Sequence, residues 1–532
     1  MIRRLFLAAA LATCAAAPAP AQARPAPLPE RPKLLVFITV DQLRPDYFTR
    51  WGHQLNGGLA RLWNGGAVFT DAHHDHAITE TAPGHATTLA GRYPRGTGIV
   101  RNLEGVQDRF HPVIGGDLPG GDSAMGASPF RFRGSTLTDW MRLRDPRTRA
   151  LSVSRKDRGA ILPMGRAQQE VFWYAYDGRF STSTWYADTL PTWVKRFNAE
   201  DRVRKLGGQA WTPLLPDTAY PEPDSVAYEN RGRDFVFPHV LAADSAGAVR
   251  GVTEFPWMDA VTLELALAGL REMRLGERGA TDVLAVSLST TDAVGHRYGP
   301  DSREVHDQVL RLDRSLGAFL DSVYARFDSS EVVVALTADH GVTPFPEVRF
   351  GAGAARYHVY LPPLRAWINE RLRAQGVDTT AYELDDGVLF VDRERFAAAG
   401  ADPRALARAF VAHARTLPGV LRADLAADLA KEDTTARRVV RRWLHQLPPD
   451  LPVEAVVSLR PDHVWGTASS AQHGSPHEAD TQVPILFYGP PFKPGKYGGY
   501  VRTVDIAPTL ARVLRVTPTE PLDGRVLTEA LR

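Results

Sequence analysis

The 532-residue chain contains a single cysteine, Cys14, and it lies in an N-terminal stretch with a character of its own. The remainder therefore has no disulfide and no thiol chemistry. An excess of either charge is also missing. With Arg3 and Arg4 of that stretch set aside, 61 basic residues face 61 acidic ones, which argues against a general binder of nucleic acid or of anionic membranes. Beyond residue 23 no uncharged apolar run approaches the length of a spanning helix, so no stable membrane insertion is expected. Internal repeats are absent as well. What remains is 44% hydrophobic and 23% charged, the composition of a soluble globular protein longer than one ordinary domain.

Residues 1–23 have the three parts of a cleavable export signal: Arg3 and Arg4, the apolar stretch Leu5 to Ala17, and Ala21-Gln22-Ala23. The expected location is periplasmic or secreted. Arg3-Arg4-Leu5-Phe6-Leu7 also resembles a twin-arginine signal, and the general export route stays open. Lipid attachment at Cys14 is a lesser alternative, because Leu11-Ala12-Thr13-Cys14 matches a lipoprotein signal imperfectly.

The mature chain alternates buried runs with helical patterns, which predicts an α/β fold with a largely parallel central sheet and helices on both faces. Leu34 to Val40 is an apolar run ending in Asp41, and another begins at Val332 and ends abruptly in Asp339 and His340. A third, Val283 to Ser287, precedes Asp292-Ala293-Val294-Gly295-His296, whose Asp and His share a face if the segment turns helically. Ligands of open α/β sheets gather beyond the carboxyl ends of strands, so these polar residues sit where chemistry is expected. The following helix carries Val305, Val309, Leu312, Leu316, Phe319 and Leu320 on its apolar face and is expected to be capped by Asp301.

Between these runs, Thr79-Glu80-Thr81-Ala82-Pro83-Gly84-His85 predicts a loop entering a helix, with Thr81 at an end that favours anions or acting as its cap. The nearby His73, His74 and His76 look metal-binding, yet their spacing fits no standard zinc pattern. Asn102 lies in a polar loop, and Lys156 with Arg158 lies in a polar turn. An Arg and a Lys together make a clamp for a doubly charged phosphate, although such a turn could equally be solvated surface.

The expected organisation is core at 24–165, 258–351 and 466–532, interrupted by an aromatic-rich insertion at 166–257 and an α+β cap at 352–465. Asp41, Asp292 and Asp339 together with His296, His340 and His473 divide naturally into two sites of mixed oxygen and nitrogen ligands, which suits zinc. Two metals a few Å apart can promote an in-line phosphoryl displacement, and Thr81 would be the nucleophile.

These ordered motifs resemble the alkaline phosphatase superfamily, in its branch with a threonine nucleophile. Asn102 with Lys156-Asp157-Arg158 is similar, more narrowly, to the bacterial secreted phosphate monoesterases of that branch. The resemblance covers most of residues 33–350 and 465–532. It implies two Zn²⁺ ions, one held by Asp292, His296 and His473 and the other by Asp41, Asp339 and His340 beside Thr81, which also ligates. By the same resemblance Asn102, Lys156 and Arg158 bind the phosphoryl oxygens of small-molecule phosphate monoesters. Relatives often carry His where Gln482 stands, and His477 is a weaker competitor for the role of His473. Sulfatases share the fold but make their nucleophile from a Cys or Ser motif missing here. The rivals are a phosphodiesterase/nucleotide pyrophosphatase of the same superfamily and a phosphate-ligand binding protein whose catalysis has decayed. Nothing in the sequence sets an oligomeric state.

Overall fold

A computed structural model describes residues 31–115, 126–466 and 471–532. The export-signal expectation, including Cys14, lies outside them. Among the described residues no helix is long and apolar enough to cross a membrane.

The centre is a ten-stranded sheet. Its parallel block runs Val332–Thr337, Leu34–Val40, Asp282–Leu288, Ala150–Ser154, Glu170–Tyr174. Leu34–Val40 and Val332–Thr337 are buried along their whole length, as is Asp282–Leu288. Burial on both faces suits the largely apolar composition of these strands, in which Thr39, Asp282, Ser287 and Thr337 are the buried polar exceptions. Gln482–Tyr488 joins antiparallel beside Val332–Thr337 and carries the sheet on to Ala67–His73. Two apolar layers flank the sheet. One includes Leu34, Val36, Ile38, Val309, Leu316 and Phe319, and the other Leu35, Phe37, Ala86, Leu137, Ile161 and Leu510.

Register decides where the chemistry lands. Thr39 pairs with both Ser287 and Thr337, and Ser154 also pairs with Ser287, so four strands finish level with one another. Asp41, Asp292, Asp339 and Lys156 each follow such an end within a few residues. They share one edge because the strands start in step.

Several local expectations need amendment. The Arg303–Tyr324 helix is capped by Ser302, whose Oγ accepts the Val305 N–H at 3.1 Å, while Asp301 pairs with Arg50 at 2.7 Å. Ser302 is one residue nearer the first turn and fits the cap geometry. The aromatic-rich stretch at 166–257 also enters the sheet, through Glu170–Tyr174 and the antiparallel edge strand Phe180–Ser181. Residues 352–465 contain a separate four-stranded antiparallel sheet, in the order Tyr382–Asp385, Val388–Val391, Val453–Leu459, Val420–Leu425. One face covers its own helices through Leu389, Phe410 and Ile368, and the other packs on Ala77 and Ile78, just ahead of Thr81.

Candidate active site

Thr81 opens a short helix, Thr81–Thr88, with extended Glu80 at the cap position. The helix seats directly on the end of the Val332–Thr337 strand. A Cβ on Gly84 would stand 2.1 Å from the Asp339 carbonyl oxygen, so the close approach depends on that glycine. His85 fixes the same junction: its Nδ1 lies 2.9 Å from the Thr81 carbonyl and 3.2 Å from Asp339 Oδ2, and its Nε2 meets Ser287 Oγ at 2.9 Å.

Six side chains form two groups, Asp41–Asp339–His340 and Asp292–His296–His473, each with its ligand atoms within 4.8 Å of one another. The first, inner group is wholly buried. The second, outer group is half-buried, with the His296 side chain 34% exposed. The groups touch through the stacked rings of His340 and His473, 3.6 Å apart.

The imidazoles are oriented in a common way. Nδ1 of His296 lies 2.7 Å from the Ala471 carbonyl, that of His473 lies 2.9 Å from the Thr79 carbonyl, and that of His340 lies 2.9 Å from the Gly341 carbonyl. A carbonyl only accepts, so each Nδ1 carries the proton and each Nε2 is left to face its group. The Nε2 atoms of His296 and His473 converge to 3.1 Å, with Asp292 Oδ1 3.3 Å from the former. In the inner group, all buried, Asp41 Oδ1 stands 3.3 Å and Asp339 Oδ2 3.7 Å from His340 Nε2. Buried carboxylate oxygens and imidazole nitrogens converging in this way fit a cation, and three oxygen and nitrogen ligands per group suit a zinc-like ion.

Lys156 occupies the middle. Its Nζ stands 2.7 Å from Asp41 Oδ2, 2.6 Å from Asp292 Oδ2 and 3.2 Å from Thr81 Oγ1. Burial disfavours its charge, but Asp292 and Asp41 outweigh burial and raise its pKa. Burial and mutual repulsion push the other way on Asp41, yet Lys156 and His340 leave its carboxyl well below the usual range. His340, despite burial, is held up to about 9 by Asp339 and Asp41. The edge is a strong electrostatic trap for positive charge.

Asn102 reaches the start of the Thr81 helix from the loop expected of it. Its Oδ1 accepts the Ala82 N–H at 2.8 Å, and its own backbone N–H donates to the Glu80 carboxylate. An amide whose Oδ1 accepts in this way still has two Nδ2 donors to offer. Arg158 lies in the first turn of the Asp157–Ile161 helix, close enough for its charge to act on both Lys156 and Glu80.

The other histidines have different partners. His73 pairs with Asp71, and His76 Nδ1 lies 3.2 Å from Gln446. His74 Nε2 donates to the carbonyl of Ala338 at 2.9 Å, so it braces the residue before Asp339 from behind. His477 Nε2 lies 2.6 Å from the Leu459 carbonyl, away from both groups, and Gln482 Nε2 donates to the Thr70 carbonyl at 3.3 Å. Sequence reasoning missed three supports. Asp480 ties the turn after His340 to the one after His473, accepting Gly341 N–H on its carbonyl and Thr343 Oγ1 and Ser475 N–H on its carboxylate. Arg101 anchors the Asn102 loop to the cap by ion pairs of 2.7 Å to Glu383 and 2.9 Å to Asp385. Gln42 is the third. Only Asp480, an acid set just before an apolar run, carried a signal of the kind that exposed Asp41.

Comparison with known proteins bears on this geometry. A sequence model of the family described as type I phosphodiesterase/nucleotide pyrophosphatase matches residues 35–114 and 127–445. Alkaline phosphatase PhoK of Sphingomonas sp. is 32% identical over 93% of this chain and 91% of its own. Alkaline phosphatase PhoV of Synechococcus elongatus is 30% identical over 94% and 93%. The crystal structure of alkaline phosphatase PafA superposes with a TM-score of 0.86 at 26% identity, covering 94% of this chain and 99% of that one. A further PafA structure has a threonine, an asparagine, a lysine and an arginine replaced, with the first two spaced as Thr81 and Asn102 are and the last two as Lys156 and Arg158 are. The chain thus belongs to the type I phosphodiesterase/nucleotide pyrophosphatase family and is an enzyme, a hydrolase of the alkaline phosphatase superfamily.

Proposed function

We propose that the protein is an exported alkaline phosphatase that hydrolyses phosphate monoesters through a phosphothreonine at Thr81, with a Zn²⁺ ion in each ligand group. The observation that carries this is the placement of Thr81 Oγ1 within 3.2 Å of Lys156 Nζ at the seam of two three-ligand groups. The relatives named alkaline phosphatases over nearly the full chain support it.

Asp41, Asp339 and His340 would hold one ion and Asp292, His296 and His473 the other. Bound there, the metals would supply Lewis-acid charge that favours the Thr81 alkoxide and offsets the phosphoryl oxygens. The side chains do the rest. Thr81 Oγ, its proton passed to solvent, forms a bond to phosphorus as the bond from phosphorus to the leaving oxygen breaks, and that oxygen departs with the electron pair and is protonated from solvent. Water then attacks the phosphothreonine, breaking the Oγ–P bond and releasing inorganic phosphate. Asn102 Nδ2, Lys156 and Arg158 donate to the nonbridging oxygens through both steps, giving the group a fixed orientation.

A phosphodiesterase reading is favoured by the family that matches the sequence. Two adjacent cations, Lys156 and Arg158, weigh against it, because a diester masks the oxygen that a monoester dianion presents to them. Comparative kcat/KM on an aryl phosphate monoester and the matching diester decides, with zinc counted on the same sample. A faster monoester with two zinc ions per chain is expected. A faster diester moves the protein to the phosphodiesterase side, and no turnover at full metal loading leaves only a binding protein. Export rests on Arg3, Arg4 and the Ala21-Gln22-Ala23 site. Intact mass of the mature protein should place its first residue near Arg24; retained Met1 or a lipidated Cys14 would overturn that.

A further inference from the structure

Gln42, the residue after Asp41, takes no part in the steps above, yet it is wholly buried between the two ligand groups. Its backbone stands at a φ of 68°, a left-handed conformation uncommon for residues with a side chain. Such an outlier inside an over-determined site is where a positioning role is to be sought. The conformation aims two donors in different directions. The backbone N–H donates to Asp339 Oδ1 at 3.1 Å, and the side-chain Nε2 donates to Asp292 Oδ1 at 2.8 Å. A carboxylate accepts only, so the amide nitrogen must be the atom facing Asp292.

The surroundings leave room for this amide alone. Gly295, one turn before the end of the Asp292 helix, would carry a Cβ only 1.8 Å from Gln42 Oε1. The oxygen that Gln42 holds is also the one nearest the converging histidines, 3.3 Å from His296 Nε2 and 3.6 Å from His473 Nε2. The other Asp292 oxygen faces Lys156. Without the amide, only Lys156, which is shared with Asp41 and Thr81, would set the Asp292 carboxylate, and the oxygen that faces the histidines would lose its own donor. The inner group has no such dependence, because its donor from Gln42 is a backbone N–H that survives substitution.

We propose that Gln42 is a positioning residue that fixes the Asp292 carboxylate for the outer metal and ties its setting to Asp339 of the inner one. This rests on the two-metal reading of the site. Residues that orient ligands in this way are typically worth about 10- to 100-fold in metal affinity.

The test is zinc titration of the metal-free full chain against a chromophoric chelator, with Asp292→Ala and Asp339→Ala assigning the two steps. In Gln42→Ala, Gln42→Asn and Gly295→Ala, the step assigned to the Asp292 group should weaken by about 10- to 100-fold, while the other moves by no more than about threefold. Gln42→Asn tolerates the left-handed backbone but is too short to reach Asp292, so it separates the amide from the backbone. Gly295→Ala keeps Gln42 and displaces its amide, which covers the case in which Gln42→Ala folds poorly. Outer affinity within about twofold of the parent in both Gln42→Asn and Gly295→Ala overturns the role of Gln42 and leaves the two-metal reading standing. Uptake of fewer than two zinc ions by the parent overturns both.

Discussion

The two ligand groups are built on different kinds of scaffold. Asp41, Asp339 and His340 stand at the ends of two strands locked in register, all fully buried, with His74 behind them and the Thr81 helix pressed against Asp339. Asp292 and His296 come from a nine-residue helix and His473 from a turn, and the His296 side chain is one-third exposed. Sheet ends in register cannot move separately, whereas a helix and a turn can. On the proposed reading, the inner group is therefore suited to hold the nucleophile in one place, and the outer group, partly open to solvent, to receive the leaving group. On the proposed reading, damage to the inner group should be the harder to tolerate.

The largest effect is expected from Asp339→Ala. It removes a buried ligand from a site whose remaining groups are charged, and water does not replace it at equal strength. The inner zinc should be lost and turnover should fall by more than about a thousandfold, beyond the roughly 10²- to 10³-fold that a single oxyanion donor is worth. His296→Ala should weaken only the outer ion, and millimolar zinc should recover part of its activity. Zinc content and rate measured with and without added zinc check this pair, and equal rescue of both variants would erase the distinction between the groups.

Thr81→Ala asks whether chemistry and metal binding can be parted. It should keep both ions yet lose turnover by more than about a thousandfold, in line with the losses of up to roughly 10⁶-fold seen when a nucleophile is removed. Turnover near that of the parent at full metal content would remove Thr81 from its role.

Lys156→Ala and Arg158→Ala stand next. A charge-assisted hydrogen bond in a partly dehydrated site is worth roughly 1.5 to 3 kcal/mol, or about one to two powers of ten. Monoester kcat/KM should fall by that order and diester kcat/KM should stay nearly level. Equal losses on the two substrates would make the turn structural. Lys156 also lies against Asp41 and Asp292, so zinc content measured on the same samples separates a lost oxygen contact from a disturbed metal site.

How much of this was legible in the sequence follows from the same contrast. Asp41, Asp292 and Asp339 were visible because an apolar run long enough to be buried cannot end in a carboxylate without reason. The segments Val388–Val391 and Val453–Leu459 of the cap were readable for the same cause, whereas Tyr382–Asp385 and Val420–Leu425 carry charges at half-exposed positions and gave no such run. The pairing of ligands into groups depends on register, which local pattern does not encode, and it was available only through resemblance. Gln42 and Arg101 were invisible for a related reason. One depends on a backbone angle and the other on a partner 282 positions away. The choice of Ser302 over Asp301 as a cap turned on a single residue of helix phase.

The smallest expected effect concerns Arg101, and it tests whether the cap holds the Asn102 loop in place. Its guanidinium is 4% exposed, pairs with Glu383 and Asp385 of the cap, and adjoins Asn102 in sequence. Both acids are about 40% exposed or more, so much of the attraction is screened and the pair adds little to stability. What it does fix is the loop that carries Asn102 to the start of the Thr81 helix. Arg101→Ala should leave zinc content and thermal stability nearly unchanged while raising KM for a monoester several-fold, because on the proposed reading Asn102 binds substrate and its amide would wander. Glu383→Ala combined with Asp385→Ala should reproduce the effect, and the triple variant should add nothing further, as expected of residues acting through one contact. A lower kcat with unchanged KM would mean that the loop matters only after substrate is bound. An additive triple variant would mean that Arg101 acts by another route than the cap.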